Sequence, residues 1–481
     1  MFDQLPYTVL RYILEELLPS NVDRDLYCTH DTTTSFKLMS FKDSVLRTIT
    51  KNIDARRQYR HEVAAAAAAG APIDIQTFRV TWRIDKIPSG FSKVDFYLFT
   101  RPIEAGFVPE GVKCVEFISS FSQSLLPRAL PQSLVELRLG SSQHPLSIGS
   151  IPDNVETIDL GLRYEEPILP GILPASCRRL TLSQVYETPL QVGTLPPLLE
   201  ELVFGYMYNQ PLLPGHLPLT LKRLVFGSNF DQPLQNGSLP PLLRQLKFGH
   251  CYNQPIPNNV LPSSLSKLTF GNNYNTSLVF GSIPSSVHTI KFGWNYNMPL
   301  EVGSLPSLLT RLKMGRLFDQ PLIPYAIPCS LRELRFGHKF NQPIPVGSLP
   351  GGVHTITFGD GFKCPDMYLP PSVHTVHLSY YFDHPHLLTN GIFDHVKRLL
   401  LSRAMAQHPK LFSLLPTSIV TLSFKETLHI RRLDDTHVLL LDDSLQGGLV
   451  KHSTGRAHLV DKVIKRLINH PPIPKGKVLE E

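Results

Sequence analysis

A proline recurs every 22 residues along the middle of this chain, in Leu-Pro or Ile-Pro dipeptides ending at Pro174, Pro196, Pro218, Pro240, Pro262, Pro284, Pro306, Pro328 and Pro350. The series continues upstream through Pro152, Pro131, Pro109 and Pro88 and downstream to Pro370. Phe393 then stands in for a proline, and Pro416 closes a run of 16 units. A fixed period of this length means one supersecondary unit built many times over, each copy stacked on the last. An active site has no use for such repetition; an architecture does.

With each ruler residue counted as 0, apolar side chains return at +3, +6 and +8, as in Leu221, Leu224 and Phe226 or Leu331, Leu334 and Phe336. The +6/+8 pair has the two-residue period of a short strand with one buried face. Glycine follows at +9 (Gly227, Gly249, Gly271, Gly293, Gly337), where the backbone must turn sharply or pack closely. An aromatic stands at +12 (Tyr208, Phe230, Tyr252, Tyr274, Tyr296, Phe318, Phe340), with Asn or Asp at +13. Asn repeated at one site predicts a ladder in which each side-chain amide bonds the turn of the next coil. Prolines at +15 and at the ruler bar strand or helix extension, so the return path is turn and extended chain. One such coil buries about six apolar side chains, too few to offset the entropy of ordering it, so coils are stable only when stacked. The expected fold is mainly β: a leucine-rich-repeat-like solenoid with a 22-residue period.

The unit "FNQPIPVGSLP" (340–350), with its F-N/D-Q-P-I/L and L-P signature, resembles the FNIP repeat, a relative of leucine-rich repeats. The match is tight over 174–358 and looser outward, from about 88 to 430. The resemblance implies a leucine-rich-repeat-like array used for protein–protein contact.

Residues 1–60 leave the ruler. Leu5, Val9, Ile13, Leu14 and Leu17 fall on one helical stripe, with Pro6 suited to a first turn. "LPYTVLRYILEEL" together with "SFKLMSFKDSVL" resembles an F-box, the helical module that docks on the adaptor subunit of cullin–RING ubiquitin ligases. That resemblance implies an adaptor contact through Leu5, Pro6, Val9 and Ile13. It lacks the late tryptophan often found in the motif, a place that Phe41 could fill. The alternative is a helical cap over the first coil. The expected organisation is an F-box-like module at 1–60, an Ala-rich linker at 61–71, the repeat solenoid at 72–430 and a carboxy-terminal cap and tail at 431–481. Within the last, "HVLLLDDSLQGGLVKHS" predicts strand, Gly-Gly turn, strand, and "HLVDKVIKRLINH" a helix.

No catalytic constellation emerges, so no enzyme and no cofactor are expected. "HEVAA" lacks the second histidine of a zincin helix, and "GDGFKC" (359–364) lacks the end of a phosphate loop. His374, His377, His384, His386 and His395 crowd the late units. His288 and His354 share the +4 site of His374, which marks that histidine as a habit of the repeat rather than a metal ligand. Six cysteines far apart, with no C-x-x-C pair, point to reduced thiols and a cytoplasmic or nuclear setting. No window holds 18 uncharged apolar residues, so no membrane span is expected.

The positions flanking +6 remain. At +5 and +7, on the open face of the strand, stand Arg223, Gln245, Lys247, Lys267, Lys291, Arg311, Lys313, Glu333 and Arg335. Trp294 marks the rim at +10, alongside His250 and His338. Such a column of cations suits an acidic protein target. Nucleic acid is the weaker expectation, because the face carries no aromatic platforms for bases. Two function classes follow: a substrate receptor of a cullin–RING ligase, or an interaction scaffold whose first helices only cap the array.

Overall fold

The computed structural model describes residues 77–80 and 87–379 (98, 119–120, 122 and 142 excepted), then 388, 390–401, 415–424 and three last strands. The 1–60 segment, the 61–71 segment and the predicted carboxy-terminal helix lie outside the described residues.

After β1 (Thr77–Val80), every ruler unit contributes one short strand, from β2 (Lys93–Phe96) to β17 (Thr421–Phe424). In the regular middle the strand spans +5 to +7: β8 (Arg223–Val225), β9 (Gln245–Lys247), β10 (Lys267–Thr269), β11 (Thr289–Lys291), β12 (Arg311–Lys313) and β13 (Glu333–Arg335). The expected +6/+8 strand is therefore shifted, since +8 falls just past the ladder. Its backbone N–H still donates across to the next coil, as Phe226 does to the Lys247 carbonyl at 2.8 Å. Successive strands pair in parallel without slip, so +5 faces +5 and +6 faces +6 in the next coil. The parallel run ends at β18 (Leu428–Arg432), which pairs antiparallel with β17. β19 (His437–Leu441) and β20 (Gly447–Lys451) continue antiparallel. The two predicted strands thus stand as expected, but Gly447 and Gly448 sit inside β20, opposite Leu441 and Leu440, and not between the strands.

The interior repeats like the ladder. In the Pro218 coil, Leu221, Leu224, Phe226, Phe230, Leu234 and Leu239 are all buried, which is the +3, +6, +8, +12, +16, +21 pattern. Two aromatic columns run side by side through the array. At +8, Phe226, Phe248, Phe270 and Phe292 stack with ring centroids 5.2–5.8 Å apart. At +12, Phe230, Tyr252, Tyr274, Tyr296, Phe318 and Phe340 stack at 6.0–6.3 Å. Within a coil the two rings lie face to face, at 4.0 Å for Phe270 and Tyr274. Met314 replaces phenylalanine once at +8 and stays buried.

Tyrosine in this column carries a hydroxyl that the fold does not always use. Tyr164 and Tyr186 accept from the Leu146 and Ile168 N–H groups of the coil before, at 3.3 and 3.4 Å. The hydroxyls of Tyr252, Tyr274 and Tyr296 are buried with no hydrogen-bond partner, and burial raises those phenols far above their ordinary pKa. Phe230 and Phe318 fill the same site without the oxygen. Tyr274→Phe should therefore be neutral or stabilise by up to about 1 kcal/mol, because an unpaired buried hydroxyl is a cost. Tyr186→Phe should lose a few tenths to about 1 kcal/mol. Urea midpoints of the two variants decide it; a clear loss for Tyr274→Phe would mean the hydroxyl has a partner.

Polar side chains tie the coils together in two further columns. The +13 side chain accepts, through Oδ1, the backbone N–H of the next +13 residue: Asn253 from Asn275 at 2.8 Å, Asn275 from Asn297 at 2.9 Å and Asp319 from Asn341 at 2.9 Å. The expected ladder exists, and it is carried by the side-chain carbonyl oxygen and not by the NH2 group. Asp and Asn interchange there for that reason. The +14 glutamine adds a second donor, as Gln254 does to Asp231 at 3.1 Å. At +2 a hydroxyl donates back to the +3 carbonyl of the coil before, as Ser264 does to Leu243 at 2.7 Å and Ser330 to Leu309 at 2.7 Å.

Candidate functional site

Where +6 and +8 point inward, +5 and +7 point out, and the parallel register lines them up in two rows along the sheet. The +7 row reads Val225, Lys247, Thr269, Lys291, Lys313, Arg335 and Thr357. Lys291, Lys313 and Arg335 are consecutive register partners, so three like charges stand side by side on exposed positions. The +5 row is mixed: Glu201, Arg223, Gln245, Lys267, Thr289, Arg311 and Glu333.

That mixture divides the predicted face. Arg223 sits beside Glu201 with its Nε 3.2 Å from the carboxylate, and Arg311 lies 3.8 Å from Glu333. Their charge is partly met within the sheet. Lys247, Lys267, Lys291, Lys313 and Arg335 have no ion-pair partner among the described residues. The cations thus occupy two rows instead of one stripe, and the unpaired ones are those of the +7 row together with Lys267 at +5.

The rim at +10 is also a row of neighbours. Trp294 is 46% exposed, and the Arg316 guanidinium from the next coil lies over its indole, 4.1 Å from the ring centroid. The contact is a cation–π pair with half the indole still open to a partner. Sequence reasoning missed Arg316, though the signal was there: it stands one period after Trp294. His250 meets Asn272 at 3.0 Å, and His338 Nδ1 lies 2.8 Å from Asp360 Oδ2. Burial pushes the Asp360 carboxyl up, but hydrogen bonds from Ser379 and His338 outweigh it and hold the pKa below the usual aspartate range.

The remaining candidates resolve into ordinary coil positions. In "GDGFKC", Phe362 stacks on Phe340 and Phe358, and the Lys363 N–H closes the +13 ladder on Asn341 at 2.7 Å. His354 and His374 are +4 neighbours with ring centroids 5.9 Å apart, while His384 and His386 lie outside the described residues. Among the described residues five cysteines are free thiols. Cys177 fills a +3 core site, and burial pushes its thiol up to about 12. No described helix is long and apolar enough to cross a membrane. Leu5, Pro6, Val9 and Ile13 lie outside the described residues.

The FNIP Repeat family model matches residues 99–142, 143–185, 164–207, 186–222, 208–251, 252–295, 296–339 and 340–381. Among solved structures, the chain is similar to CroV588, described as a novel circular LRR protein, with 28% sequence identity and a TM-score of 0.64. The match covers 72% of this chain and 51% of CroV588, so this chain spans about half the length of that relative. The TLR13–ssRNA13 complex matches at 13% identity and a TM-score of 0.44, over 73% of this chain and 62% of that one. No curated protein matches this chain. The 22-residue coil, its stacked rings and the family match agree, and the chain belongs to the FNIP repeat family.

Proposed function

We propose that this protein is a recognition subunit: the solenoid's sheet face takes a protein target, and residues 1–60 dock on the adaptor of a cullin–RING ubiquitin ligase. One observation carries the first half. The polar groups at +2, +13 and +14 bond neighbouring coils, whereas Lys247, Lys267, Lys291, Lys313 and Arg335 at +5 and +7 have no ion pair among the described residues. Side chains held in an ordered row, with no bond to the fold, are available to a partner. Arg223, Arg311 and Trp294 border that surface. Support for the second half is the Leu5-Pro6 start and helical stripe of the amino-terminal segment.

The test is co-purification of the tagged full-length protein in low salt, probed for adaptor and cullin. Both should be recovered. Leu5→Ala combined with Pro6→Ala should remove them while leaving the circular dichroism spectrum of the array unchanged. If the wild-type protein never retains the adaptor, it is a scaffold whose first helices serve only as a cap.

A further inference from the structure

The strand side of the array changes electrical character between the Pro218 and Pro240 coils. Three positions define it: +5 and +7 on the strand, and +4 on the flank just ahead of it. Over the seven coils from Pro88 to Pro218 these positions hold seven Lys or Arg and seven Asp or Glu. Most of those charges find each other. Lys93 reaches Glu116 at 2.7 Å, Arg138 reaches Glu136 at 2.6 Å, and Glu200 is held between Arg178 at 2.9 Å and Lys222 at 2.8 Å. Over the nine coils from Pro240 to Pro416 the same positions hold ten Lys or Arg and one carboxylate, Glu333. This half of the face has a net charge of +9, more than the +7 of the whole chain.

Folding does not require that charge. The buried +6 residue and the backbone ladder make the strand, and in other coils Thr or Val occupies the same outer positions. Strands stack about 4.8 Å apart, well inside the ~8 Å Debye length of physiological salt, so the fields of neighbouring coils add. Like charges opposite one another in a sheet are destabilising. A polyanion lying along the rows would remove that repulsion.

We propose that this cationic half of the sheet binds an extended acidic polypeptide segment, laid across the strands from Lys247 to Arg335. This deepens the receptor assignment above and rests on it. The span is four coil steps, about 20 Å, which an extended chain covers in about six residues. The partner is therefore a short run rich in Asp and Glu, each carboxylate meeting an ammonium or guanidinium group. Single-stranded nucleic acid is the other polyanion to consider. No Phe, Tyr or Trp occupies +4, +5 or +7 in any of these coils, so bases would have nothing to stack on. Trp294, outside the rows, already has Arg316 on its ring.

The test is fluorescence anisotropy of the full-length protein with a labelled deca-glutamate peptide and, separately, a labelled ten-nucleotide oligouridylate, across a salt series. Deca-glutamate should bind more tightly than oligouridylate and weaken steeply with salt. Lys291→Glu with Lys313→Glu should weaken deca-glutamate at least about tenfold. Lys339→Glu with Lys363→Glu, an equal charge change off the face, should change it less than about twofold. Lys291→Gln with Lys313→Gln should also weaken the peptide and should raise the melting temperature, since it removes repulsion without risk of misfolding. Equal losses in the face and control variants would overturn the site, and tighter oligouridylate binding would overturn the occupant. Failure of deca-glutamate to bind while the ligase adaptor still co-purifies would overturn the acidic partner alone. Loss of the adaptor with peptide binding intact would overturn only the ligase assignment.

Discussion

Phe270→Ala is expected to destabilise the array by about 3–5 kcal/mol, the range for removing a buried aromatic ring. Phe270 stands mid-column, 5.8 Å from the Phe248 ring, 5.2 Å from Phe292 and 4.0 Å from Tyr274. All three lose a stacking partner at once, and the backbone ladder on either side prevents the coils from closing the gap. Its chain neighbour Thr269 points to the opposite side of the sheet, so Thr269→Ala should fall within about half a kcal/mol of wild type. Denaturant unfolding followed by far-UV circular dichroism measures both. Similar losses for the two variants would show that the ring columns are not what holds the coils.

A second large effect is expected at Gly271. The repeat contains two classes of glycine. At +19 the backbone is left-handed: Gly303 has φ 79° and Gly347 φ 86°, and Asn259 and Tyr325 take the same conformation with φ 65°. At +9 the reason is different. A Cβ on Gly271 would run into the carbonyl of Gly249 in the coil before, and one on Gly293 into that of Gly271. Gly347 has open space around it. Gly347→Ala should therefore cost about 1 kcal/mol, the conformational penalty alone. Gly271→Ala should cost more than about 3 kcal/mol, since backbone of two coils must separate to admit a methyl group. Thermal melts of the two variants make the comparison. A milder effect at Gly271 than at Gly347 would mean the coils are not in backbone contact at +9.

Much of this was legible in the residues because a repeat confines each side chain to one job. Burial at +3, +6 and +8 follows from apolar residues that recur while their neighbours vary, and Leu265, Leu268 and Phe270 show it in one coil. The +13 ladder was legible in outline, since only Asn and Asp stand there from Asn209 to Asn341. Which atom serves was not, because Oδ1 is common to both side chains and only the neighbour's N–H selects it. The +2 hydroxyl column escaped notice because Leu, Gly, Asn and His occur at +2 alongside Ser and Thr, so its signal is diluted. At +9 glycine was visible, but turning and close packing both call for glycine; the position of the Gly249 carbonyl settles the choice.

For the outward face the division is sharper. A list of cations at +5 and +7 follows from counting along the chain. Their electrical worth depends on what lies 22 residues away in sequence and one strand away in space. Arg311 and Lys313 are two residues apart, yet the parallel register sets Arg311 opposite Glu333 and Lys313 opposite Arg335. One charge is screened by a carboxylate and the other is reinforced by a guanidinium. The sequence alone therefore determined the period, the solenoid and the inward and outward faces, because hydrophobic spacing is a local property. Only the tertiary structure decided which of the outward charges meet a partner and which stand beside like charges, because Coulomb energy depends on distance between coils and not on position along the chain.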